Sequence, residues 1–152
     1  MFNILVHKMF KWYSGGGRMP SRVLYRLIRW YYHCDIPYNI NLNGVWFCHN
    51  GFGIVINANA QIGEGCYIQH GVTIGVRDDI QNTKAPRIGK NCYIGARAIL
   101  IGDIAIGDNV KIGAGAVVIS DIPNGATAVG VPAKIVKNNN GEKTSKTFPH
   151  RY

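Results

Sequence analysis

No run of apolar residues in this chain of 152 approaches the roughly 20 needed to cross a bilayer. Met1 to Phe10 carries His7 and Lys8 among short apolar stretches, and no small-residue cleavage site follows. A secretory leader is therefore not expected, and the cytoplasm is the expected location. Cysteine is sparse: Cys34, Cys48, Cys66 and Cys92 form neither a disulfide framework nor a C-x-x-C pair, which leaves free, buried thiols and no expected metal site. Glycine is abundant at 19 residues, too many for a helical bundle, but without the Gly-X-Y period of collagen. A hydrophobic content of 47% is too high for a disordered chain, and the length suits one domain.

Acidic residues are also scarce, 8 against 17 Lys and Arg, and the deficit is local. Through Asp35 there are six basic residues and one acid, and from Lys134 onward five and one, whereas the middle is balanced. The net charge of +9 therefore belongs to the two ends and favours an anionic partner: a phosphate-rich cofactor or a membrane surface. Nucleic acid is not expected, because the chain carries no recognition motif and no interleaved aromatic platform.

A six-residue repeat dominates what is present. Ile56, Ile62, Ile68 and Ile74 are followed by Ile88, Ile94, Leu100, Ile106, Ile112 and Val118. Four residues beyond the anchors stand small or aliphatic side chains, among them Ala60, Cys66, Val72, Cys92, Ala98, Ile104, Val110 and Ala116. A period of six fits neither a helix nor simple strand alternation. It fits a chain that turns a corner every six residues, so that three repeats close a triangular coil of parallel strands. Each anchor should then stack on the anchor three repeats later: Ile56 on Ile74, Ile88 on Ile106, Ile94 on Ile112 and Leu100 on Val118. Gly63, Gly75, Gly89, Gly95, Gly107 and Gly113 follow anchors directly and are expected to ease the backbone at the bends.

The period breaks once, between Ile74 and Ile88, which stand two positions further apart than two repeats would place them, and a polar loop spans 76–86. Upstream, Pro20 to His33 reads as a helix, with Val23, Leu24, Leu27, Ile28 and Tyr31 as its apolar stripe and Arg22, Arg26 and Arg29 opposite. Residues 2–12 suit a second short helix. Capping the prism and peripheral contact with an anionic membrane, at its inner face, are the two uses open to this segment. The organisation is then a helical segment over 1–35, the coil domain over 36–136 and a loose basic tail over 137–152.

His49, in F-C-H-N-G-F-G-I-V-I, and His70, in Y-I-Q-H-G-V-T-I-G, are the candidate catalytic residues. A histidine at a coil corner, with a carboxylate on one ring nitrogen, can take a proton from a hydroxyl with the other. Asp35, in C-D-I-P, is the nearest upstream acid.

Over Asp35 to Val136 the sequence resembles the left-handed parallel β-helix acyltransferases of the serine acetyltransferase-like group, with the nearer likeness to small O-acetyltransferases of capsule and colanic-acid pathways. C-H-N-G-F-G-I-V-I-N-A-N-A-Q-I-G, Y-I-Q-H-G-V-T-I-G, A-P-R-I-G-K-N-C-Y-I-G-A-R-A, V-K-I-G-A-G-A-V-V and A-V-G-V-P-A-K-I-V carry it. The resemblance implies an all-β coil domain, a homotrimer, and acetyl-CoA in the groove between adjacent prisms. It implies His49 as general base, Asp35 as its orienting acid at a spacing one residue short, and direct attack without an acyl-enzyme. It further implies that His70 helps to bind the acceptor or position the thioester, that Ala96 and Ala114 line the pantetheine arm beside Gly75 and Gly113, and that Lys111 and Lys134 meet phosphates. Serine acetyltransferases carry a second histidine where this chain has Ala85 and an aspartate where it has Cys48, and they have a longer N-terminal helical region. These departures point to a saccharide hydroxyl as acceptor. Serine or another small hydroxyl compound, an amino-sugar nitrogen and a non-catalytic binding module are the other readings.

Overall fold

The computed structural model describes residues 1–16, 18–77 and 84–138. Two helices, α1 (Phe2–Ser14) and α2 (Arg18–Tyr32), precede a triangular prism of very short strands. One face is a sheet of β1 (Trp46–Phe47), β4 (Tyr67–Ile68), β7 (Tyr93–Ile94), β10 (Lys111–Ile112), β12 (Ala126–Val129) and β13 (Lys134–Asn138), in that order. The second contains β2 (Val55–Ile56), β5 (Thr73–Gly75), β8 (Ile99–Ile101) and β11 (Val117–Val118), and the third β3 (Gln61–Ile62), β6 (Arg87–Ile88) and β9 (Ala105–Ile106). All pairings are parallel except that of β12 with β13. The triangular coil expected from the repeat is present, and the architecture is the left-handed parallel β-helix that the resemblance implies.

The anchors stack as their spacing requires: Ile56 pairs with Ile74, Ile88 with Ile106, Ile94 with Ile112 and Leu100 with Val118. Nine of the ten are buried and Ile62 is half-buried. The residues at the fourth offset fill the remaining interior, all eight of them buried. Apolar burial along a narrow column, rather than intrinsic strand preference, holds elements only two or three residues long.

The glycines after the anchors have a different role from the one expected. None of the six lies at positive φ. The left-handed residue falls three places after the anchor, at Gly65, Gly71, Asn91, Arg97, Asn109 and Gly115, with φ between 55° and 73°. Asparagine and glycine are the residues that tolerate this conformation best. The glycines next to the anchors are required by the approach of the following coil: a Cβ on Gly63 would stand 2.7 Å from the Gly89 carbonyl carbon, and one on Gly95 2.6 Å from the Ala114 nitrogen. Gly75 is the exception: among the described residues nothing stands within 4 Å of its Cβ position.

The break in the repeat is larger than the anchor count suggests. Regular coils pair Arg87 with Ala105 and Ile99 with Val117, three repeats apart. Across the break Gln61 pairs with Arg87 and Thr73 with Ile99, each eight positions beyond that distance, so the insertion is eight rather than two. Ile88 belongs to the prism face directly after Ile74. Of the loop at 76–86, residues 78–83 lie outside the described residues, as does 139–152 of the expected tail. The returning end is pinned to the next coil, where Asp103 takes Arg87 at 2.6 Å and Lys84 at 3.1 Å. These two cations hold its carboxyl below the usual carboxylate range, Arg87 contributing most.

The coil does not stop at Val118. β12 continues the first sheet by pairing with β10, and β13 folds back antiparallel on it. At the other end α1 covers the opening, burying Phe2, Val6 and Met9. The Asn3 side chain donates to the Phe47 carbonyl at 3.0 Å and accepts from the Phe47 N–H at 2.9 Å, which occupies backbone groups on the exposed edge of β1. Helix α2 turns inward with Ser21, Leu24, Tyr25, Ile28 and Tyr32. The apolar stripe expected for it is therefore split: Leu24 and Ile28 pack, whereas Val23, Leu27 and Tyr31 face outward.

Candidate active site

Register brings the two candidate histidines together. Trp46 pairs with Tyr67 and Phe47 with Ile68, and the Cys48 N–H continues the ladder to the Ile68 carbonyl at 2.9 Å. Two residues past the strand ends, His49 and His70 meet with ring centroids 5.0 Å apart in an edge-to-face arrangement. His49 is exposed and begins a single 3₁₀ turn, His49–Gly51, with φ of 51° at His49 and 56° at Asn50. His70 is half-buried, and among the described residues its buried Nδ1 has no hydrogen-bond partner.

The same column continues down the prism. Tyr67 pairs with Tyr93 and Tyr93 with Lys111, so His70, Ala96 and Ala114 occupy equivalent corner positions on successive coils. Two backbone bonds fix the alignment: Arg97 N–H to the His70 carbonyl at 2.9 Å and Gly115 N–H to the Ala96 carbonyl at 2.8 Å. Ala96 is half-exposed and Ala114 exposed, so one edge runs from the histidine pair along small side chains. Coils repeat about every 4.8 Å, which separates His49 from Ala114 by about 14 Å. Such an edge fits a thin, extended arm whose amides bond to the backbone. Of the other expected cofactor residues, Gly113 and Lys111 adjoin Ala114, Lys134 is exposed on β13, and Gly75 lies on the second sheet away from this column.

Asp35 is placed by backbone bonds from its N–H to the Ile54 carbonyl at 2.7 Å and from the Ile56 N–H to its own carbonyl at 2.9 Å. Its carboxylate accepts from the Tyr25 hydroxyl at 2.6 Å and pairs with Arg29 at 3.1 Å, both from α2. Burial, and then the bond to Asp35, push the Tyr25 phenol up. Among the described residues no hydrogen bond joins Asp35 to His49. Tyr25 and Arg29 are contacts that sequence reasoning missed, because nothing in the helix pattern marks which polar residue meets the coil. Gln69, which donates to the Cys48 sulfur at 3.3 Å beside the histidines, was missed for a similar reason. The step from β1 to β4 is not a whole number of hexads in threes, so the repeat count does not align Cys48 with Gln69.

The thiols are unsuited to nucleophilic work. Burial pushes Cys34 up to about 11 and raises Cys48. Cys92 is raised by its hydrogen bond with Cys66 and by burial, and both are sealed inside the prism. Among the described residues no cluster of histidine, cysteine and carboxylate suits a metal ion.

Residues 85–120 match the family model described as bacterial transferase hexapeptide (six repeats). A serine acetyltransferase of Staphylococcus aureus is 33% identical over 150 residues, 99% of this chain and 68% of that protein. A serine acetyltransferase of Neisseria gonorrhoeae, solved in complex with serine, superposes with a TM-score of 0.76 at 35% identity, over 88% of this chain and 54% of that one. The enzyme of Brucella abortus, solved with coenzyme A, gives 0.77 at 28% identity, over 87% and 53%. This chain thus spans about half the length of the solved structures it matches.

These relatives overturn the expected saccharide acceptor, and they give no support to a capsule or colanic-acid branch. Coil stacking and 33% identity across 99% of the chain show that it belongs to the serine acetyltransferase family of hexapeptide-repeat transferases.

Proposed function

We propose that this chain is an acetyl-CoA-dependent O-acetyltransferase whose acceptor is the hydroxyl of serine or a closely similar small molecule. The observation that carries the reading is the His49–His70 corner at the head of the Ala96–Ala114 edge. His49, exposed and held out by its left-handed turn, takes the proton from the acceptor hydroxyl. The oxygen attacks the thioester carbonyl, the carbon–sulfur bond breaks, and the proton passes to the departing CoA thiolate. His70, its ring centroid 5.0 Å from that of His49, adjoins the place of the acceptor or the thioester. The pantetheine arm follows Ala96, Gly113 and Ala114, and Lys111 and Lys134 meet the phosphates as point charges.

A homotrimer supplies the second wall of that groove. Trp46, Phe52 and Val55 on the prism and Val131, Ile135 and Val136 at its exit expose apolar side chains that subunit contact would cover. The test is release of free CoA thiol from acetyl-CoA against a panel of L-serine, other hydroxy amino acids and amino sugars. Serine-dependent release supports the proposal, and release with none of the hydroxyl compounds removes it.

Asp35 is proposed as the orienting acid. Its carboxylate must then exchange Tyr25 or Arg29 for His49 when the acceptor binds, since catalytic hydrogen bonds are often incomplete before the substrate arrives. Asp35→Asn is expected to lower kcat about a hundredfold, the lower end of the range for acid–base contributions, with little change in KM for acetyl-CoA. An unchanged kcat would leave Asp35 only the task of bracing α2.

A further inference from the structure

Outside the active-site column, the strongest unexplained surface is the outer side of α2. Met19, Val23, Leu27 and Trp30 run along it at helical spacing, with Met19 70%, Leu27 56% and Trp30 77% exposed. Arg22 and Arg26, both exposed, form the adjoining row one turn apart. With Met19 and Val23 they line a shallow depression. The helix therefore has three sides: one packed against the prism by Ile28 and Tyr32, one apolar and open, and one basic. A helix whose only task was to cap the coil would gain nothing from the second.

We propose that this face of α2 docks on an anionic lipid bilayer surface, Leu27 and Trp30 entering the headgroup boundary while Arg22 and Arg26 meet lipid phosphates. An open apolar stripe bordered by arginines is the pattern of a helix lying in the interfacial plane, with tryptophan suited to its depth. Charge decides between occupants. Residues 1–34 contain six Lys and Arg and no acid, so a second copy meeting this face through the same face would set arginine against arginine without relief. An anionic surface supplies the missing negative charge. Among the described residues no helix is long and apolar enough to cross a membrane, so the contact is peripheral.

The full chain is tested by co-sedimentation with vesicles of phosphatidylcholine alone and of phosphatidylcholine with phosphatidylglycerol. Binding is expected on the anionic vesicles, weakening with salt. Arg22→Ala with Arg26→Ala should bind about thirtyfold more weakly, from the usual worth of two basic residues near an anionic surface. Leu27→Glu should also weaken binding. Unchanged melting temperatures establish that these surface variants stay folded, independently of any acetyl transfer. Equal binding to both vesicle types, or no binding to either, overturns the proposal. Self-association that Leu27→Glu abolishes, seen by light scattering without vesicle binding, assigns the face to a second copy and overturns it as well.

Discussion

His49→Ala is expected to lower serine-dependent CoA release about a thousandfold, in the middle of the range for a positioned general base. The loss should appear in kcat, since His49 lies at the head of the Ala96–Ala114 edge rather than along it, and the KM for acetyl-CoA should change little. One structural effect must be separated from the chemical one. His49 has φ of 51°, a conformation that alanine adopts less readily than histidine or asparagine. His49→Asn keeps a residue suited to that turn while removing the base. The two variants should therefore lose activity alike, with the asparagine form melting closer to the parent. Turnover within a few-fold of the parent in His49→Asn would exclude His49 as base and turn attention to His70, whose ring lies 5.0 Å away. The proposed column makes a further distinction: direct attack leaves no acetyl group on the protein, so mass measurement during turnover should find none on Cys48 or either histidine.

Most of the prism was legible because its energetics are periodic. Where the chain buries an identical wall at every repeat, spacing alone identifies which side chains stack, as with Leu100 on Val118. The features that departed from expectation are those set between coils. The glycines beside the anchors were assigned to bends, but the bends belong to residues such as Asn91 and Asn109 three places on. The period cannot show that a Cβ would collide with the backbone of the next coil. The His49–His70 contact was hidden for a related reason, since the register step from β1 to β4 is repeated at no other coil. In α2 the hydrophobic spacing was read correctly as helical, yet it could not say that Val23 and Leu27 would remain outside. A helix packed on a narrow prism has room to bury only part of its apolar circumference, and here Leu24 and Ile28 take that room. The acceptor is not legible from such departures, because the absence of a residue or segment removes a contact without specifying what replaces it, whereas 33% identity across 99% of the chain points to serine acetyltransferases.

A close approach of backbone to backbone between successive coils carries the other large effect, on stability. Gly95→Ala would place its methyl 2.6 Å from the Ala114 nitrogen, 2.7 Å from the Gly113 carbonyl carbon and 2.8 Å from the Ile112 oxygen. All three are backbone atoms, so no side chain can rotate away. Relieving the overlap to ordinary contact requires the coils to separate by about 0.8 Å, yet the Gly95 N–H donates to the Ile112 carbonyl at 2.9 Å. A shift of that size takes this bond beyond useful length, and its neighbours follow because the strands are only two residues long. Overpacking at about 1–3 kcal/mol, added to lost hydrogen bonds at about 1 kcal/mol each, gives a cost of about 3 kcal/mol. For a chain of this size the melting temperature should fall by about 10 °C. Gly75→Ala is the matched control: it follows an anchor in the same way, has no positive φ and meets nothing within 4 Å. It should melt at or slightly above the parent temperature, as expected when alanine replaces glycine in a compatible conformation. Equal behaviour of the two variants would show that coil approach is not what selects glycine after the anchors. The same spacing sets the distance between Ala96 and Ala114, so thermal loss in Gly95→Ala should be accompanied by a higher KM for acetyl-CoA, whereas damage from Gly63→Ala, on another corner, should leave that KM unchanged.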